Sequence, residues 1–113
     1  MVLNAGSLTR RIQIQRALMT DTASGVVEYA WTDLGQPIFA RRRDISDSER
    51  LSAGRWENKL VSRVVIRATA FGRSIRRTDR LVHEGITFEI DGIKEVPDSR
   101  AFLEITAETE ETP

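Results

Sequence analysis

Apolar residues recur at every second position through much of this chain. Ile12 and Ile14 stand between Arg11, Gln13 and Gln15, and Val27, Tyr29 and Trp31 between Glu28, Ala30 and Thr32. A period of two places one apolar face on each strand, so both segments are predicted as half-buried strands. In a third strand Leu60, Ser62, Val64, Ile66 and Ala68 share one face, and Val61, Arg63, Val65 and Arg67 the other. Glu84-Gly85 and Asp91-Gly92 read as turns bracketing a short strand, Ile86 to Ile90. Val96-Pro97-Asp98-Ser99 predicts a turn before a last strand, Ala101 to Ala107. Short strands with this punctuation predict an all-β fold, a small antiparallel barrel or sandwich, and barrel closure removes exposed edges. The expected core is Ile12, Ile14, Tyr29, Trp31, Val64, Ile66, Phe88, Ile90, Leu103 and Ile105.

One stretch breaks the pattern. From Asp44 to Lys59 apolar residues are sparse, and Ser46-Asp47-Ser48-Glu49 has the form of a capping box that Arg50-Leu51 continues and Gly54 stops. This predicts a long polar loop with a short helical turn. A polar insertion of this length is either a solvated loop or an element that orders against a partner. Trp56 within it favours a contact role, because tryptophan is enriched at interface hot spots.

The 113 residues suit one domain, 1–113, with loop 44–59 inserted and a short acidic tail, 108–113. A domain of this size buries only part of its surface and gains from oligomerisation. There is no cysteine, which excludes disulfides and thiolate metal sites. No apolar stretch approaches the roughly 20 residues of a membrane-spanning helix, and the first residues lack the pattern of a signal peptide. The expectation is a soluble, unprocessed protein. Net charge is zero but unevenly spread: residues 1–80 carry 15 Lys and Arg against 8 Asp and Glu, residues 81–113 carry 2 against 9. Folding either interleaves the two halves and cancels the asymmetry, or leaves complementary faces for a neighbouring subunit in a ring. On the second reading Asp98, Glu104 and Glu108 of one subunit approach arginines of the next, led by Arg76 and Arg77.

Candidate chemistry is thin. The single histidine, His83, has no second imidazole for a metal site, and its position beside Glu84-Gly85 reads as an ordinary turn residue. Asp79, Glu84, Glu89 and Asp91 lie close in sequence, but a period of two scatters their directions. No enzyme activity, metal or cofactor is expected. Arg41-Arg42-Arg43 and the run Arg73 to Arg80 are basic clusters suited to surface salt bridges or to sequence-blind phosphate contact. With few aromatics, base stacking of the kind small barrels support is a weaker reading.

Seven segments follow one another along the chain: Gly6-Ser7-Leu8-Thr9-Arg10-Arg11-Ile12-Gln13-Ile14-Gln15-Arg16, Gly25 to Trp31, Ile38-Phe39-Ala40-Arg41 leading into Ser46 to Arg50, Ser62-Arg63-Val64-Val65-Ile66-Arg67, Asp79-Arg80-Leu81-Val82, Ile86 to Ile90 and Arg100 to Ile105. This ordered set resembles the head-closure, or head-tail joining, proteins of long-tailed phages and phage-derived particles. The run Arg41-Arg42-Arg43-Asp44 is more basic than the small polar residues usual there. The resemblance implies a homo-oligomeric ring in the neck of a virion, a defective prophage or a gene-transfer particle, assembled in the bacterial cytoplasm. The portal and adaptor would lie above it and a tail terminator or tail proteins below. It implies that the loop bearing Arg50, Arg55, Trp56 and Lys59 meets packaged double-stranded DNA or a neighbouring ring. Arg41, Arg42, Arg43, Arg76, Arg77, Asp98, Glu104 and Glu108 are the candidate interface residues. The alternatives are an adaptor or tail-terminator ring of the same particle, and, in another class, a small nucleic-acid-binding barrel.

Overall fold

A computed structural model describes residues 5–21, 23–45 and 59–110. After a single 3-10 turn, Ala5–Ser7, come β1 (Arg10–Asp21), β2 (Val27–Asp44), β3 (Leu60–Arg67), a short helix α1 (Ala70–Ser74), β4 (Arg80–His83), β5 (Ile86–Val96) and β6 (Ser99–Thr109). The strands close a barrel in the order β1-β2-β3-β6-β5-β4, every pairing antiparallel.

The inward positions of the alternating pattern meet inside. Ile12, Ile14, Val64, Ile66, Leu81, Phe88 and Ile105 are fully buried, and Ile90 and Leu103 nearly so. The outer side of β3 is covered as well, because Val65 packs with Leu8 and Phe102 in a second small cluster. Two expected core residues are elsewhere: Tyr29 is 72 % exposed and Trp31 44 %. Their strand does alternate, but its neighbours stop. β1 pairs with β4 only from Gln13 to Gln15, and β2 pairs with β3 only from Ala40 to Asp44. Beyond Arg16 and before Asp33 the two strands therefore leave the barrel as a free ribbon. The radius of gyration, 15.4 Å, exceeds the roughly 13 Å of a compact chain this long.

Where the ribbon leaves the barrel, β2 places Gly35, Gln36 and Pro37 opposite Gln13 alone. A bulge suits proline, which has no N–H to give a ladder. Gly35 has φ +66°, and a Cβ there would lie 2.7 Å from the Phe71 ring of α1. The bulge is thus the seat of the helix. α1 itself is capped by Thr69, whose Oγ1 accepts from Gly72 N at 3.0 Å. The helical turn expected at Ser46 to Leu51 lies outside the described residues.

Glu84-Gly85 makes the expected β4–β5 turn, with φ of 52° and 80° at the two residues, as a type I′ hairpin requires. Pro97-Asp98, with Asp98 at φ 65°, turns β5 into β6. Asp91-Gly92 is not a turn. It sits inside β5, where the register with β6 shifts between Ile90 and Gly92. A bulge and a turn use the same residue types, and here the flanking strand pairing decides. β6 also continues past Ala107, through Glu108 to Thr109.

Candidate assembly surfaces

The free ribbon concentrates the exposed apolar side chains. Register sets Ala17 opposite Trp31, Met19 opposite Tyr29 and Asp21 opposite Val27, so these six share one face. Met19 is 65 % exposed and Val27 is exposed on the same face, while Leu18, opposite Ala30, is exposed on the other. A soluble monomer scatters such residues singly, whereas a contiguous strip of them marks a contact surface. The remaining outward aromatics are capped by the chain's own arginines: Arg80 lies over the Trp31 ring at 4.2 Å and Arg11 over Phe39 at 4.7 Å.

A buried ion pair anchors the ribbon's base. Arg16 Nε and Nη2 donate to Asp79 Oδ1 and Oδ2 at 2.8 and 2.9 Å, and Arg76 N donates to Oδ2 at 2.8 Å. Arg16 Nη2 also donates to Ser74 O. Burial alone would push the Asp79 carboxyl up, but the hydrogen bonds from Arg16 and Arg76 N and their charges outweigh it and hold the group below its ordinary value. The bond to Asp79 raises Arg16 in turn. β1, α1 and the start of β4 are thereby tied together.

At the other end of the barrel a polar cluster points inward. His83 is buried, not a surface turn residue, because the inward parity of β4 passes through Leu81 and His83. Arg42 Nη1 donates to His83 Nδ1 at 3.1 Å, which requires an unprotonated Nδ1. Arg42 also pairs with Asp44 at 3.1 Å and lies over the Phe88 ring at 5.0 Å. Ser62 Oγ donates to Asp44 Oδ1 at 2.6 Å. Burial lowers the His83 pKa, with Arg42 and Arg10 adding to the effect and Glu84 and Asp44 opposing it.

The other sequence-derived candidates divide by position. Arg42 is committed to this interior cluster, while Arg41 and Arg43 lie on the outward parity of β2. Arg76, Arg77 and Asp98 are exposed. Glu108 pairs with Lys59 at 3.5 Å and Glu104 with Lys94 at 3.6 Å, both on the outer face of β6. Glu108, Lys59, Arg77 and Trp31 border an open groove of about 620 Å³. Arg50, Arg55 and Trp56 lie outside the described residues. Ile45, the last described residue before their segment, is held to β3, its N–H donating to Val61 O at 2.8 Å. Among the described residues there is no group of three or more His, Asp or Glu placed to hold a metal. No helix among them is long and apolar enough to cross a membrane.

The model of one protein family, phage head completion protein, matches residues 3–111. The chain belongs to the phage head completion protein family. Its barrel is shared with solved structures. Protein SF1141 from Shigella flexneri 2a superposes with a TM-score of 0.70 at 27 % identity, covering 93 % of this chain and 95 % of that one. A chain in the virion of a native gene transfer agent particle superposes with a TM-score of 0.63 at 24 % identity, covering 89 % and 93 %. A comparison with curated proteins finds no match. As a head completion protein, this chain needs surfaces for other proteins more than a reaction centre. Period-two reading found the apolar face of the ribbon but assigned it to the core. Among the described residues no further strand pairs beside the ribbon to cover that face, and alternation within one strand carries no signal of this.

Proposed function

We propose that this head completion protein forms a homo-oligomeric ring that closes the filled head between the portal-adaptor assembly and the tail, as a resident of the particle's neck. The family match across residues 3–111 carries the reading. The exposed ribbon supports it, because a contiguous apolar strip on a small domain marks a contact surface for another protein. In this reading the segment with Arg50, Arg55, Trp56 and Lys59 reaches the DNA channel or an adjacent ring and retains packaged double-stranded DNA through sequence-blind phosphate contact. Arg43, Arg76, Arg77 and Asp98, which are exposed, and Arg41, which is half-buried, are the candidates for contact with neighbouring subunits or rings.

Deleting residues 47–57 tests the retention role. The expected result is a folded barrel, measured by circular dichroism, with heads that lose DNA or fail to join tails. Filled, tail-bearing particles at normal yield would remove both plug and docking roles from the segment.

A further inference from the structure

We infer that the β1–β2 ribbon of one copy docks on an arginine cluster of a second copy of this chain, formed by Arg67, Arg73 and Arg100. The inference rests on the ring reading above and names the contact that closes the ring.

The ribbon states what its partner must offer. Its outer face is apolar, with Met19, Val27 and Tyr29 exposed. From residue 17 to 33 the sequence holds Asp21, Glu28 and Asp33 and no Lys or Arg. The complement is a cationic surface with aliphatic stems, which arginine supplies. The chain already covers outward aromatic rings in this way, with Arg80 over Trp31 and Arg11 over Phe39. No arginine of the same chain lies over Tyr29 among the described residues.

The matching surface is on this chain. Arg67 pairs across strands with Phe102, and Arg73 Nη2 donates to Arg100 O at 3.1 Å. All three arginines are exposed, and none makes an ion pair among the described residues. Asp98 is the nearest acid in sequence, in the adjoining turn. In the strand order, β6 lies directly across the barrel from β1. β1 and β3 run in the same direction, and β3 ends at Arg67, level with Arg11 of β1, so that the ribbon extends beyond the cluster toward the same end. Arg73 lies on α1, which is seated at the ribbon's base, whereas Arg67 and Arg100 lie on β3 and β6, so ribbon and cluster are different surfaces of the chain, as a head-to-tail contact that closes by rotation needs.

The absence of cysteine makes the test direct. Tyr29→Cys and Arg67→Cys are introduced together, and assembled particles are mildly oxidised. Within one chain the two positions are separated by a distance on the order of 30 Å along β2, far beyond disulfide reach. The expected result is a ladder of covalent multiples ending at the ring's subunit number, absent from either single variant. Met19→Cys with Arg100→Cys is the second pair. Rings that form normally while neither pair yields a ladder overturn the inference and leave the ring standing. So does coupling of Tyr29→Cys alone to itself, or to another neck protein. If the unmodified chain forms no ring, the ring reading fails, and this inference with it.

Discussion

Replacing Asp79 tests how the ribbon is held. Its carboxylate side chain is fully buried and the Arg16 side chain 19 % exposed. It accepts two bonds from Arg16 and one from Arg76 N. Removing one member of a buried pair typically costs 3–5 kcal/mol. Arg16 retains an exit to solvent and its bond to Ser74 O, so Asp79→Ala should cost about 3 kcal/mol, the low end of that range. Asp79→Asn keeps the shape and one acceptor oxygen and should cost about 1.5 kcal/mol, the scale of one charge-assisted hydrogen bond. Urea unfolding followed by circular dichroism measures both. The pH dependence adds an independent check. The folded-state pKa is depressed, so as pH falls the unfolded chain takes the proton first. The stabilisation is therefore present above about pH 4, the ordinary carboxylate value, and is lost as pH falls through the folded-state value. Asp79→Asn should lose that acid-sensitive component. A change within about 0.5 kcal/mol for Asp79→Ala, the scale of an indifferent surface site, would refute the argument.

Ile14→Ala and Ile66→Ala should each cost about 2–5 kcal/mol in the same assay, whereas Tyr29→Ala should stay within about 0.5 kcal/mol. Equal losses at all three would put Tyr29 back in the core. His83 has its pKa lowered by burial and by Arg42, so protonation favours the unfolded chain. Stability should accordingly fall as pH drops below about 6.5 toward the folded-state value, and His83→Gln should remove that component of the pH profile. Gly35→Ala should cost about 1 kcal/mol or more, because φ is positive and the new Cβ meets the Phe71 ring. A neutral melting temperature for that variant would show that α1 adjusts freely.

The barrel was legible wherever alternation and pairing agree. Ile12, Ile14, Val64, Ile66, Phe88, Ile90, Leu103 and Ile105 are all core, as their period-two positions indicate. Tyr29 and Trp31 follow the same alternation, but periodicity reports that a strand has an apolar face and says nothing of what covers it. His83 was misplaced by a single position. It precedes the turn and still obeys the inward parity of Leu81. Asp91-Gly92 carries a turn signature that long-range pairing with β6 overrides. α1 is too short for a helical period to show, and it depends on Phe71 finding Gly35, a contact between residues distant in sequence. Among the interface candidates, Arg41, Arg42 and Arg43 were indistinguishable in sequence, and strand parity turns Arg42 inward.

Native mass spectrometry of neck complexes released from assembled particles measures ring formation. The expected result is a species whose mass includes a fixed multiple, greater than one, of the 12.8 kDa chain, and loss of that species from a Tyr29→Ser, Met19→Ser variant that remains folded. A single copy of the chain in every complex, with assembly unchanged by the ribbon variant, would contradict it.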